Sequence, residues 1–241
     1  MFRSAFLKDD QPDAVATRPF RVLLAEDTAV NQFLTARLLE HAGMDVTVVA
    51  NGREAVDAVL RKPFDLILMD MQMPELDGVA ASEEIRRRER GRRTPIVAMT
   101  ARTRDEDRAR CRLAGMDGFL TKPLTPEQLE ETLRNLPSVG PWDGTPSTIG
   151  VNFEKDLDDV EDLFRATCAE SMQAIQRAAA TGDAAALESA AHSLKGAASC
   201  LGRDRLAGLL YELERMGAKC RLDNARPVLQ LLDAEIARVL R

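Results

Sequence analysis

Three carboxylates, a hydroxyl and an ammonium stand at the ends of four short apolar runs in the first half of this 241-residue chain. Arg21–Ala25 is followed by Glu26 and Asp27, and Phe64–Met69 by Asp70. Pro95–Met99 is followed by Thr100, and Gly118–Leu120 by Thr121, Lys122 and Pro123. Were these runs parallel strands of one sheet, the side chains would converge on its carboxyl edge, where α/β sheets place their ligands. A single acid after a strand is ordinarily a helix cap or a solvated loop residue. Set together, Glu26, Asp27 and Asp70 would repel and raise one another's pKa. A divalent cation plus Lys122 resolves that conflict. Mg2+ fits, because it takes oxygen ligands, keeps several waters and often uses one or two carboxylates.

The elements that must position these groups are legible from pattern. Apart from Arg21 and Asp65, Arg21–Ala25 and Phe64–Met69 are apolar, as strands buried on both faces are, and Val46–Ala50 is largely β-branched. Between the strands lie helical spacings over Asn31–His41, Glu54–Arg61, Gly78–Arg90 and Arg104–Ala114. Asn51 is placed to cap the second, and Thr125 to cap a last helix ending at Leu136. Five βα units predict a doubly wound five-stranded parallel sheet, flavodoxin-like, over residues 20–136. Residues 1–19 show no clear period and predict a flexible lead-in. In residues 137–150, PSVGPWDGTPSTIG, ten of 14 are Pro, Gly, Ser or Thr, a linker composition.

Residues 151–241 carry helical signals alone, over Asp156–Thr181, Ala184–Leu201, Arg205–Ala218 and Arg226–Leu240. Short connections predict an up-down four-helix bundle. The apolar stripe of the second helix is Leu187, Ala191, Leu194, Ala198 and Leu201. At about 100° per residue His192 falls about 140° from that stripe, on the solvent side, with Gly196 and Ser199 beside it. Gly196 costs roughly 1 kcal/mol of helix propensity against Ala. A bare helix face gains nothing from that cost, whereas a face that must admit another active site does.

The stretches LLAEDTAVNQ, DLILMDMQMPELDG, PIVAMTA and GMDGFLTKPL resemble the receiver domain of two-component response regulators. Thr100 and Lys122 follow Asp70 by 30 and 52 residues, the spacing of that family. The resemblance implies that Asp70 is the phosphoacceptor. It implies Asp27 as a direct Mg2+ ligand with Glu26 beside it, and the Gln72 backbone carbonyl as a further ligand. Thr100 would donate to a phosphoryl oxygen, Lys122 would pair with the phosphoryl group, Phe119 would be the switch aromatic, and the Lys122–Pro123 bond would be cis. The family more often has Asp at the position of Glu26. A carboxylate is a competent nucleophile toward phosphorus, giving an acyl phosphate, and such transfer needs alignment and neutralised oxygens above all.

The stretch AAHSLKGAASCLGRDRL is similar to the histidine phosphotransfer (HPt) domain, with its AHxLKG core and Gly202 ten residues after the histidine. That implies His192 as a second phosphoacceptor with Lys195 able to reach its phosphoryl group. Glu214 falls where the family places a polar contact to the imidazole, although surface solvation explains it equally well. His41 suits a helix C-terminus and carries no implied chemistry. The run Arg86–Arg93 reads as a solvated helix end, or as a docking patch for the acidic start of the bundle, DLDDVED.

The two resemblances together imply a phosphorelay intermediate that exchanges phosphate between Asp70 and His192. Its partners would be an upstream sensor histidine kinase and a downstream response regulator receiver docking on the His192 face. The other readings are a binding switch in which Asp70 phosphorylation controls access to His192, and a phosphate sink. The chain lacks the boxes of an ATP-binding kinase domain, so whether it is an enzyme stays open. The domain order matches the C-terminal end of bacterial hybrid sensor kinases, of which it could be a fragment. A net charge of −6 argues against a nucleic-acid binder. No apolar run approaches the roughly 18 residues of a membrane span. The four cysteines form no CxxC pair, so free thiols and a cytoplasmic setting are expected.

Overall fold

The computed structural model describes residues 18–100, 105–136 and 157–240. The expected linker 137–150 and most of the lead-in, residues 1–17, lie outside the described residues. Arg18, expected within that lead-in, is tied down: its guanidinium donates to both carboxylate oxygens of Asp65, at 2.7 and 2.6 Å.

The first domain alternates β1 (Arg21–Ala25), α1 (Ala29–His41), β2 (Asp45–Val49), α2 (Gly52–Arg61) and β3 (Leu66–Asp70). It continues with α3 (Gly78–Arg88), β4 (Ile96–Thr100), α4 (Asp105–Leu113), β5 (Gly118–Thr121) and α5 (Pro126–Asn135). The strands form one sheet in the order β2-β1-β3-β4-β5, every neighbouring pair parallel. Alternate side chains point to opposite faces. Leu23, Ala25, Ile67, Met69, Ile96 and Ala98 therefore pack under α2, α3 and α4. Val22, Leu24, Leu66, Leu68, Val97 and Met99 pack under α1 and α5. Strands covered on both sides have no polar alternation to show, which is why β1 and β3 are continuous apolar runs.

Local chemistry sets the helix starts. The Asn51 side chain accepts from Glu54 N, and Asp77 from Ala80 N. Thr125 and Gln128 form a reciprocal capping box with Pro126 in the first turn.

The second domain is α6 (Leu157–Thr181), α7 (Ala184–Cys200), α8 (Asp204–Ala218) and α9 (Ala225–Val239). Phe164, Ile175, Leu187, Leu194, Leu210 and Leu232 lie in its core. Glycines in the left-handed region, Gly182 and Gly202, turn the chain between α6 and α7 and between α7 and α8. The small face of α7 lets α8 come close. A Cβ on Gly217 would lie 2.6 Å from the Ala184 carbonyl oxygen and 2.7 Å from Glu188 N.

The two domains pack together, which the linker composition does not foretell. Val30 of α1 is fully buried within the bundle's apolar core and Leu34 packs against it. The ion pairs seen for the arginine run among the described residues lie within the receiver. Arg86 pairs with Glu89 and Asp117, Arg87 and Arg88 with Glu84, Arg92 with Asp65, and Arg93 with Asp117. Glu161 at that acidic start pairs instead with Arg203. All four cysteines are free thiols. Among the described residues no helix is long and apolar enough to cross a membrane.

Candidate functional site

The sheet edge gathers the residues singled out by spacing. Glu26 and Asp27 follow β1, Asp70 closes β3, Thr100 closes β4 and Lys122 follows β5. One carboxylate oxygen each from Glu26, Asp27 and Asp70 lies within 4.8 Å of the others. Lys122 Nζ stands 2.5 Å from both Glu26 Oε2 and Asp70 Oδ2. Asp70 is only 3% exposed. Burial, and then the Glu26 charge, push its carboxyl upward even against the Lys122 ammonium. Burial and the Asp70 charge likewise raise Asp27. Burial works against the Lys122 charge, but the Asp70 and Glu26 carboxylates outweigh it and hold the ammonium above the ordinary lysine value. Lys122 thus pairs with Glu26 and Asp70, and Asp27 stands beside them.

Several short bonds hold this geometry. Gln72 N donates to Asp70 Oδ1 at 3.3 Å. Glu26 accepts from Asn31 Nδ2 at 3.0 Å and Asp27 from Thr28 Oγ1 at 3.0 Å. A Cβ on Gly78 would sit 2.0 Å from the Asp70 carbonyl oxygen, so the start of α3 passes this strand end as only glycine allows. The Lys122–Pro123 peptide is cis. Phe119 packs at the sheet edge with the Arg108 guanidinium 4.0 Å from its ring centre.

On α7 the structure corrects one expectation. His192 lies off the apolar stripe, as its angle requires, yet it does not face solvent: its side chain is 14% exposed. The receiver edge covers it. A cavity of about 460 Å3 has Asp27, Asp70, Gln72 and Thr100 on one wall and Glu188, Ser189 and His192 on the other. The structure therefore brings the two candidate acceptors to a single chamber.

The imidazole is oriented from behind. Glu214 of α8 is fully buried; its Oε1 lies 2.8 Å from His192 Nδ1 and its Oε2 2.6 Å from Lys195 Nζ. Burial works against the Glu214 charge, but hydrogen bonds from His192 and Lys195 outweigh it and lower the carboxyl to about 2. A carboxylate only accepts, so Nδ1 carries the proton in the neutral ring and Nε2 keeps the lone pair. Lys195 is itself buried and sits on the Nδ1 side, 3.4 Å from that atom. Surface solvation of Glu214 is thereby excluded. The signal for it was a lone carboxylate inside the α8 stripe Leu206, Leu210, Leu213 and Gly217, all buried. Nothing in the sequence marked Thr28, Asn31 or Ser193, which meet across the domain boundary.

The structure thus sets a buried aspartate at the carboxyl edge of a doubly wound sheet, flanked by two acids and a lysine, opposite an oriented histidine on a helical bundle. The response regulator receiver domain model matches residues 22–134 and the Hpt domain model residues 159–241. The chain belongs to these two families, one domain of each, and the pair is a module of phosphorelay signalling. It is 30% identical over 222 residues to the sensory/regulatory protein RpfC of Xanthomonas campestris, covering 83% of this chain and 31% of that protein. To the sensor histidine kinase GacS of Pseudomonas protegens it is 37% identical, over 52% of this chain and 14% of that one. The chain thus spans less than a third of either relative. Among solved structures it is similar to the receiver domain of the sensor histidine kinase PA1611 from Pseudomonas aeruginosa, which has a magnesium ion coordinated in its active site cleft. The identity there is 42%, over 49% of this chain and 98% of that one, with a TM-score of 0.46.

Proposed function

We propose that Asp70 takes a phosphoryl group from an upstream sensor histidine kinase and exchanges it with His192 of the same chain. The observation that carries this reading is the shared cavity with Asp70 on one wall and His192 on the other. In the first step an Asp70 carboxylate oxygen attacks the donor phosphorus; a P–O bond forms as the P–N bond to the donor imidazole breaks. In the second, His192 Nε2 attacks that phosphorus; a P–N bond forms and the acyl P–O bond breaks, returning the Asp70 carboxylate. The Nδ1 proton stays on the ring, facing Glu214, which balances the positive charge of the phosphorylated imidazole. Lys122 and Thr100 neutralise the phosphoryl oxygens at the receiver edge.

The donor set suits Mg2+: three carboxylates with oxygens in mutual reach at an open cavity, and an ammonium too few to balance them. Glu26, Asp27, Asp70 and the Gln72 carbonyl would hold the ion, which when bound supplies further neutralisation of phosphoryl oxygens. A downstream receiver would draw phosphate from His192 after the two domains part. The covered imidazole also favours a regulatory role, since no other receiver reaches His192 while its own occupies that face.

Mass mapping of acid-labile phosphate after incubation with a small phosphodonor tests the assignment. Wild type should carry label on Asp70 and then on His192. Asp70→Asn should carry neither, and His192→Gln should carry it on Asp70 alone. Labelling of His192 at full rate in Asp70→Asn would contradict the order of steps.

A further inference from the structure

Two of the three carboxylates at the receiver edge are each one hydrogen bond from a residue that touches the phosphotransfer helix. Asp27 accepts from Thr28 Oγ1, and Thr28 Oγ1 lies 2.7 Å from Ser193 Oγ on α7. Thr28 has one hydroxyl proton, and Asp27 can only accept. That proton therefore goes to Asp27, and Ser193 is the donor to Thr28. The second path runs from Glu26 to Asn31 Nδ2, which would stand 3.0 Å from a Cβ on Gly196. Asn31 is 3% exposed, and its Oδ1 is buried with no hydrogen-bond partner in the described structure. A buried acceptor of that kind is destabilising until something donates to it. Neighbouring Val30 is sunk in the bundle's core, so α1 cannot shift without disturbing the contact with α7.

Hydrogen bonds from the layer behind a metal site fix how its ligands point, and losing one weakens metal binding. Here that layer, Thr28 and Asn31, is held by the other domain. We infer that Ser193 and Gly196 of the bundle are positioning residues for the receiver's cation ligands. Docking of the bundle and binding of a divalent cation at Glu26, Asp27 and Asp70 then strengthen each other. The coupling is reciprocal by necessity: whatever docking adds to cation affinity, the cation adds to docking. An empty receiver holds the bundle loosely, and a loaded one holds His192 over Asp70. The inference rests on the cation reading given above, and adds that a residue with no part in the receiver sets the receiver's affinity.

Calorimetric titration of Mg2+ into the full chain tests it, comparing wild type with Ser193→Ala and Gly196→Ala. Ser193→Ala deletes the donor to Thr28. Gly196→Ala presses a methyl on Asn31 while raising the helix propensity of α7, so loss of the bundle cannot account for its effect. Both variants should keep the helical circular dichroism of wild type and bind Mg2+ about fivefold or more weakly, at the low end of coupling between sites. Small-angle scattering should show wild type becoming more compact with Mg2+ and the variants responding less. Unchanged Mg2+ affinity in both variants would overturn the coupling and leave the cation site standing. Absence of Mg2+ binding by wild type would overturn the cation reading itself, and the inference with it.

Discussion

Replacing Glu214 by glutamine should cost the bundle about 3 kcal/mol at pH 7 and slow phosphoryl uptake by His192. The carboxyl is lowered from its ordinary 4.5 to about 2. At about 1.36 kcal/mol per pKa unit that is roughly 3 kcal/mol of stabilisation. The folded value lies below the unfolded one, so the contribution is present in full above about pH 4.5 and is lost as pH falls toward 2. An amide keeps the shape and can still accept from His192 Nδ1. It cannot neutralise Lys195, whose ammonium is buried with Glu214 as its ion-pair partner at 2.6 Å, and an unpaired buried charge is what makes such replacements costly. Urea denaturation followed by helical circular dichroism, at pH 7 and at steps down to pH 3, measures this directly. The gap between wild type and Glu214→Gln should be largest at pH 7 and close progressively below about pH 4.5. For Glu214→Ala, loss of a charge-assisted hydrogen bond of about 1.5–3 kcal/mol predicts uptake slower by about 10- to 150-fold. Nitrogen NMR of the imidazole should show the Nδ1 proton in wild type and a redistributed proton in the alanine variant. A stability gap that stays constant from pH 7 to 3 would refute the reasoning.

Three further outcomes follow from the same geometry. Burial and Asp70 raise the Asp27 carboxyl, so its ionisation opposes folding above the ordinary 3.8; without Mg2+, Asp27→Asn should raise the melting temperature at pH 7, lose that advantage below about pH 3.8, and no longer respond to added Mg2+. Gly217→Ala forces a methyl against the α7 backbone, and a bundle melt should show it destabilised by about 1–3 kcal/mol or more, where an exposed helical glycine would gain from the change. Asn51→Ala removes the acceptor for Glu54 N and should cost about 1 kcal/mol in receiver stability, measured by denaturation of the full chain.

Most of the fold was legible because its signals are local. The apolar runs of β1 and β3 and the caps Asn51 and Thr125 each act within a few residues, and so does the Asp77 cap, which the sequence reading did not single out. The receiver edge was legible for the same reason, since strand ends place Glu26, Asp27, Asp70, Thr100 and Lys122 whatever covers them. What was not legible lies across the domain boundary. An angle on a helical wheel puts His192 off its own bundle's core, but it says nothing of a second domain standing there. Val30 reads as one more apolar residue on α1, and its burial in the other domain's core depends on docking. Glu214 was ambiguous because one carboxylate at an apolar position has two outcomes, and only the facing His192 and Lys195 decide between them. The arginine run showed the reverse: the receiver's own acids, scattered from Asp65 to Asp117, pair with Arg86, Arg87, Arg88, Arg92 and Arg93.

The central claim is that Asp70 and His192 exchange phosphate within one chain, and single-turnover transfer measured over a wide range of dilution tests it most directly. With wild type, the rate at which label leaves Asp70 and appears on His192 should not change on dilution. With a mixture of Asp70→Asn and His192→Gln chains, transfer should be slower and should fall in proportion as protein is diluted. The same concentration dependence in both would contradict the account, placing the exchange between molecules and leaving the docked arrangement without a part in it.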